Sequence, residues 1–131
     1  MFCLDSDFLI ALLRNDQAAI NLLHELESKA LLLATTPIQA MELLRGAYKS
    51  TKSQENIKRI NTLLKSLAIL SIDLAVADRY AQLQTSLLKD GQIIGDFDLI
   101  IAAISLVHGA QLVTRNINHF ERITGLALKA W

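Results

Sequence analysis

Short apolar runs alternate with longer stretches of helical periodicity along the whole chain, and this alternation restricts the fold more than any other property. The short runs are Phe2 to Leu4, Ala30 to Ala34, Ala68 to Ile72, Gln111 to Thr114 and Leu126 to Leu128. A run that short and that apolar suits a strand buried on both faces. The segments between them repeat their apolar positions at helical spacing, as in Ile57, Ile60, Leu63, Leu64 and Leu67. Strands that alternate with helices predict a mainly parallel sheet with helices on both sides, a three-layer α/β/α arrangement.

Local signals set several of the boundaries. Asp5-Ser6-Asp7 offers cap chemistry to a helix carrying Phe8, Leu9, Leu12 and Leu13, and a second helix runs from about Ala18 to Ser28. Thr36-Pro37-Ile38-Gln39 reads as a cap, a proline at the first helical position and a capping-box glutamine. The apolar stripe of that helix is expected along Ile38, Met41, Leu44 and Tyr48, with Glu42 at its edge. Asp73 caps a helix with Leu74, Ala77, Tyr80, Ala81 and Leu88, which stops at Lys89-Asp90-Gly91. After a short loop, Leu99 to Val107 is apolar nearly all round, as a buried helix would be, and Gly109 ends it.

Composition narrows the class. A length of 131 residues matches one domain over residues 1–131, with hydrophobic residues at 52% and only five glycines and one proline, which excludes a disordered chain. Net charge is zero, so no global positive field marks a nucleic-acid partner. Locally, six basic residues (Arg45, Lys49, Lys52, Lys58, Arg59, Lys65) face one acid, Glu55, between positions 45 and 65. They read as a solvated helical face or as a phosphate track. The single Cys3 lies in an apolar run and fits a reducing compartment, and no segment approaches the ~18 apolar residues of a membrane span. A cytoplasmic protein without a membrane partner is expected.

Acidic and amide residues recur where apolar runs change character: Asp5, Glu42, Asp96 with Asp98, and Asn116. Alone, Asp5 or Asp98 can be a helix cap, and Glu42 a solvated partner of Arg45. Together, at element boundaries of a parallel α/β pattern, they can meet beyond the carboxyl ends of the strands, where such folds build their sites. Crowded carboxylates repel, so a cation is the natural complement, and hard oxygen donors suit Mg²⁺ or Mn²⁺. Such an ion can activate water against a phosphodiester.

Five segments in order carry a family resemblance: LDSD near the start, MELLRG, the stretch from Gly91 to Ala103 that contains FDLIIAA, LVTRN, and HFERITGL followed by Trp131. On these the chain resembles, nearly end to end, the PIN-domain ribonucleases, and among them the VapC-type toxins of bacterial toxin–antitoxin pairs. The resemblance implies a PIN-like α/β/α sandwich and a Mg²⁺- or Mn²⁺-dependent endoribonuclease. It assigns the metal-binding and catalytic acids to Asp5, Glu42 and Asp98. Asn116 matches a fourth position that is often Asp, and the amide weakens the case for a second ion. Ser6, Asp7, Asp96 and Thr114 are expected as supports around the ligands, and some of the basic residues Arg45, Lys49, Lys52 and Arg115 are expected to contact RNA phosphates. Further implications are an RNA substrate with tRNA among the options, a cognate antitoxin and a homodimer.

Two enzyme classes with an early strand-end Asp fit less well. A haloacid-dehalogenase-like phosphatase needs paired-Asp and Lys motifs, and a response-regulator receiver needs a Lys at the end of a later strand, where LVTRN has none. The remaining alternative is a PIN module that only binds a partner or regulates with it. His24, His108 and His119 show no paired metal spacing and are read as structural, and Tyr80 and Trp131 as core or interface aromatics.

Overall fold

The computed structural model describes residues 1–131. In chain order the elements are β1 (Phe2–Leu4), α1 (Ser6–Leu13), α2 (Gln17–Ser28), β2 (Leu33–Thr35), α3 (Pro37–Lys49) and α4 (Ser53–Lys65). They continue with β3 (Ala68–Ile69), α5 (Leu74–Lys89), α6 (Asp96–His108), β4 (Gln111–Val113), α7 (Ile117–Phe120) and β5 (Leu128–Lys129). The strands form one sheet in the order β3-β2-β1-β4-β5, with every pairing parallel.

The pleat of β1 explains the three layers. Cys3 enters one core with Ala34, Leu112 and α6 residues Leu99, Ile101, Ala102 and Ile104. Phe2 and Leu4 enter the other with Phe8, Leu9, Leu22, Leu26, Leu43 and Ile60. Adjacent residues of one strand thus feed opposite cores. Helices α5 and α6 cover one face, and α1 to α4 the other. Burial pushes the Cys3 thiol up to about 12, so it packs as a protonated hydrophobe.

Several boundaries and faces differ from the sequence expectations. The run Ala30 to Ala34 gives a strand only from Leu33, because Ala30 takes a left-handed φ of 52° in the turn after α2. The other strands also settle within, or one residue beyond, their apolar runs. On α3 the buried face is Ile38, Gln39, Leu43 and Ala47, leaving Met41 at 48% and Tyr48 at 70% exposure. The expected stripe was rotated because Gln39, a polar residue, is fully buried. Its side chain accepts the Thr36 hydroxyl and stands 3.9 Å from Cys3 Sγ instead of closing the capping box. Leu74 and Leu88 of α5 are likewise exposed, the helix packing through Val76 and Leu87.

The stop of α6 behaves as the sequence predicts: Gly109 has φ +67°, and a Cβ there would meet nothing within 4 Å. Gly109→Ala is therefore expected to cost about 1–2 kcal/mol through backbone strain alone. The check is a lower urea midpoint at unchanged slope.

Candidate functional site

Strand order reverses at β1, with β2 and β3 to one side and β4 and β5 to the other. In open parallel sheets the crevice at such a reversal, beyond the strand ends, is where side chains from separate elements meet. Asp5 follows β1 directly, and Thr114 follows β4. The Asp5 backbone N–H donates to Val113 O at 3.0 Å, so the sheet itself sets the height of this residue.

Asp5 is at once the N-cap of α1 and a buried carboxylate, 6% exposed. One oxygen accepts the Ser6 N–H at 2.9 Å and the other the Thr114 hydroxyl at 2.8 Å. Desolvation by burial, and then the nearby charges of Asp7 and Glu42, raise its pKa from 3.8 to about 7 against these hydrogen bonds. A carboxylate held in such surroundings lacks a positive partner. The donor set around it is all oxygen, which fits Mg²⁺ or Mn²⁺ better than a thiolate- or imidazole-seeking metal.

Glu42 reaches this centre from α3, where its Oε2 accepts the Ser6 hydroxyl at 2.5 Å. Its partner is thus Ser6, not Arg45. Asp98 lies in the first turn of α6, whose N-cap is Gly95 rather than an acid. The helix dipole favours a negative charge there, but Asp98 is no cap. Asn116 connects the two halves: its backbone N–H donates to Thr114 Oγ1 at 3.0 Å, and its side-chain amide to Asp98 Oδ2 at a long 3.5 Å. A path of hydrogen bonds therefore runs from Glu42 through Ser6, Asp5, Thr114 and Asn116 to Asp98. No three acidic, His or Cys side chains along it stand at ligand spacing around one point.

Other named residues take separate places. Asp96 accepts the Tyr80 hydroxyl at 2.8 Å, so its contact is to α5 and not to the other acids. Asp7 binds the Thr114 hydroxyl at 3.3 Å and the Arg115 backbone N–H at 2.9 Å. Arg45, Lys49, Lys52 and Arg115 are exposed, whereas Arg59 is spent on the carbonyl of Leu13.

Two residues that the sequence reads as structural or interface groups, His119 and Trp131, stand in the site. His119 Nδ1 stands 3.2 Å from Asp98 Oδ2 and 2.9 Å from the Asn116 amide nitrogen, which makes it part of the Asp98 end of the path. Its spacing of three from Asn116, across one turn of α7, was the available signal. Trp131 donates its indole N–H to Asp7 Oδ1 at 3.2 Å. Nothing local in the sequence announces a contact between residues 124 positions apart.

Comparison with known proteins agrees with the fold. The family model described as PIN domain matches residues 2–126. The chain is similar to the ribonuclease VapC2 of Rickettsia felis, 36% identical over 107 residues that cover 82% of this chain and 80% of that protein. It is also similar to the tRNA(fMet)-specific endonuclease VapC of Shigella flexneri, 29% identical over 99% of this chain and 97% of that one. Among solved structures, VapBC2 from Rickettsia felis bound to a DNA fragment from their promoter superposes with a TM-score of 0.91. Identity there is 33%, with 99% of this chain and 98% of the other covered.

Proposed function

Because this chain belongs to the PIN-domain family, and within it to the VapC ribonucleases, we propose that it is a metal-dependent endoribonuclease acting as the toxin of a toxin–antitoxin pair. The observation that carries the reading is Asp5: a buried carboxylate at the strand-order reversal, crowded by Asp7 and Glu42 and joined through Thr114 and Asn116 to Asp98. Asp5, Glu42 and Asp98 would hold Mg²⁺ or Mn²⁺. When bound, such an ion supplies positive charge for the scissile phosphate and lowers the pKa of water.

The chain's own residues prepare that centre. Thr114 fixes the rotation of the Asp5 carboxylate, Ser6 tethers Glu42, and Asn116 orients Asp98. Arg45, Lys49 and Lys52 offer exposed charge to the RNA backbone. The substrate class we assign is tRNA, after the specificity carried in the name of the Shigella flexneri relative. The partner we assign is an antitoxin, after the VapBC complexes; a second copy of the chain is assigned on the family resemblance alone. The activity is assigned to the cytoplasm and to one PIN domain over residues 1–131. A role in binding alone is disfavoured by the presence of all three acids and by the use of Asn116 on Asp98.

The test is cleavage of a panel of tRNAs and mRNAs by the pure protein, with Mg²⁺, with Mn²⁺ and with EDTA. Cleavage that needs the ion and vanishes in Asp98→Asn is expected. An intact panel under both ions would remove the nuclease reading.

A further inference from the structure

The loop after β4 carries Thr114 and Asn116, both on the hydrogen-bond path, with Arg115 between them. Asp7 holds this loop from α1: one carboxylate oxygen takes the Arg115 backbone N–H and the Thr114 hydroxyl, the other the Trp131 indole N–H. Trp131 is braced from behind by Phe8, edge to face at 5.2 Å and 72°. Across the indole lies the Arg115 guanidinium, 3.6 Å from the ring centroid. The three ion pairs of the chain do not include Arg115, so no carboxylate lies within 4.0 Å of it. A guanidinium stacked on a ring keeps its in-plane N–H fork available, and that fork matches a phosphate bidentately.

An RNA phosphate that approaches Asp5, Glu42 and Asp98 meets like charge. A fixed, unneutralised cation on the same loop as Asn116 answers that repulsion. We propose that Trp131 and Asp7 are positioning residues that hold Arg115 as a phosphate-binding residue beside the cleavage centre. Stacking limits the rotamers of a long side chain, so less freedom is lost when the phosphate binds. Asp7 is thereby a support of the loop through its N–H and O–H partners. This inference rests on the nuclease reading above.

The experiment is steady-state cleavage of the best-cleaved RNA of the panel across a salt series, using Arg115→Ala, Arg115→Lys, Trp131→Ala, Trp131→Phe and the Arg115→Ala/Trp131→Ala pair. Arg115→Ala should raise KM about tenfold, the effect of one charge-assisted contact, with kcat nearly unchanged. It should also flatten the log–log salt slope by about one. Arg115→Lys should keep the slope with part of the KM loss. Trp131→Ala should reproduce the KM effect, Trp131→Phe should soften it, and the double variant should be no worse than Arg115→Ala, since the indole acts through the guanidinium. An Arg115→Ala enzyme with wild-type KM and slope, or Trp131 and Arg115 losses that multiply, would overturn the proposal while leaving the nuclease intact. A wild type that cleaves nothing defeats the nuclease reading and this inference together.

Discussion

Asp5→Ala and Asp98→Ala, each made singly, are expected to lower RNA cleavage at least about a hundredfold at saturating Mg²⁺ or Mn²⁺. The two acids come from different elements, one from the end of β1 and the other from the first turn of α6. Neither can substitute for the other, because Asn116, the group between them, is an uncharged amide. Asp98 is the cleaner probe. Its side chain is 27% exposed and not a helix cap, so its loss should leave the fold nearly untouched. Single-turnover rates decide the matter, and a wild-type rate in either variant would remove that acid from the reaction.

The second large effect is on stability. The Asp5 pKa lies near 7 in the fold against 3.8 for the free side chain. The folded state therefore binds more protons than the unfolded chain between about pH 4 and pH 7. Asp5 favours folding fully below the lower value, and that contribution is lost as pH rises through the upper one. At about 1.4 kcal/mol per pH unit, the whole effect is on the order of 4 kcal/mol. Asp5→Asn removes the charge but keeps an oxygen for the Ser6 N–H, and Thr114 can still donate to Asp7. In EDTA at pH 8 this variant should be more stable than wild type by roughly 2–4 kcal/mol. The gap should close toward pH 4. Mg²⁺ should raise the melting temperature of wild type by mass action and that of the variant much less. Denaturation curves that run parallel from pH 4 to pH 8 would show that burial does not strain this carboxylate.

Layering and strand direction were legible because both follow from apolar periodicity, which each segment carries by itself. Likewise Thr36, Asp73 and Gly109 sit at helix ends as their chemistry requires. The face of α3 was not legible, because Gln39 is buried by a bond to Thr36 and a contact to Cys3, which hydropathy counts as unfavourable. In the site, the acids could be named from their places at element boundaries and from the family motifs. Their connections could not: Asp96 is drawn to Tyr80, and Asp98 to Asn116 and His119, by contacts that depend on how α5, α6 and α7 lie against each other. Trp131 is the extreme case, since its role depends on reaching back to Asp7 across almost the entire chain.

The sheet places its earliest strand in the middle, and Asp5 takes its backbone partner from Val113 and its hydroxyl partner from Thr114. On the ribosome, β1 can pair with β2 early in synthesis, but Asp5 lacks its Val113 and Thr114 partners, the latter 109 positions on, until β4 has been made. The pairings that build the crevice are among the most distant in sequence, and such contacts form late in folding. A nascent or truncated chain ending before β4 thus carries the acids without the crevice. A chain in that state is expected to leave RNA uncleaved, because the hydrogen bonds that join Asp5 to Asn116 and Asp98 are not yet made.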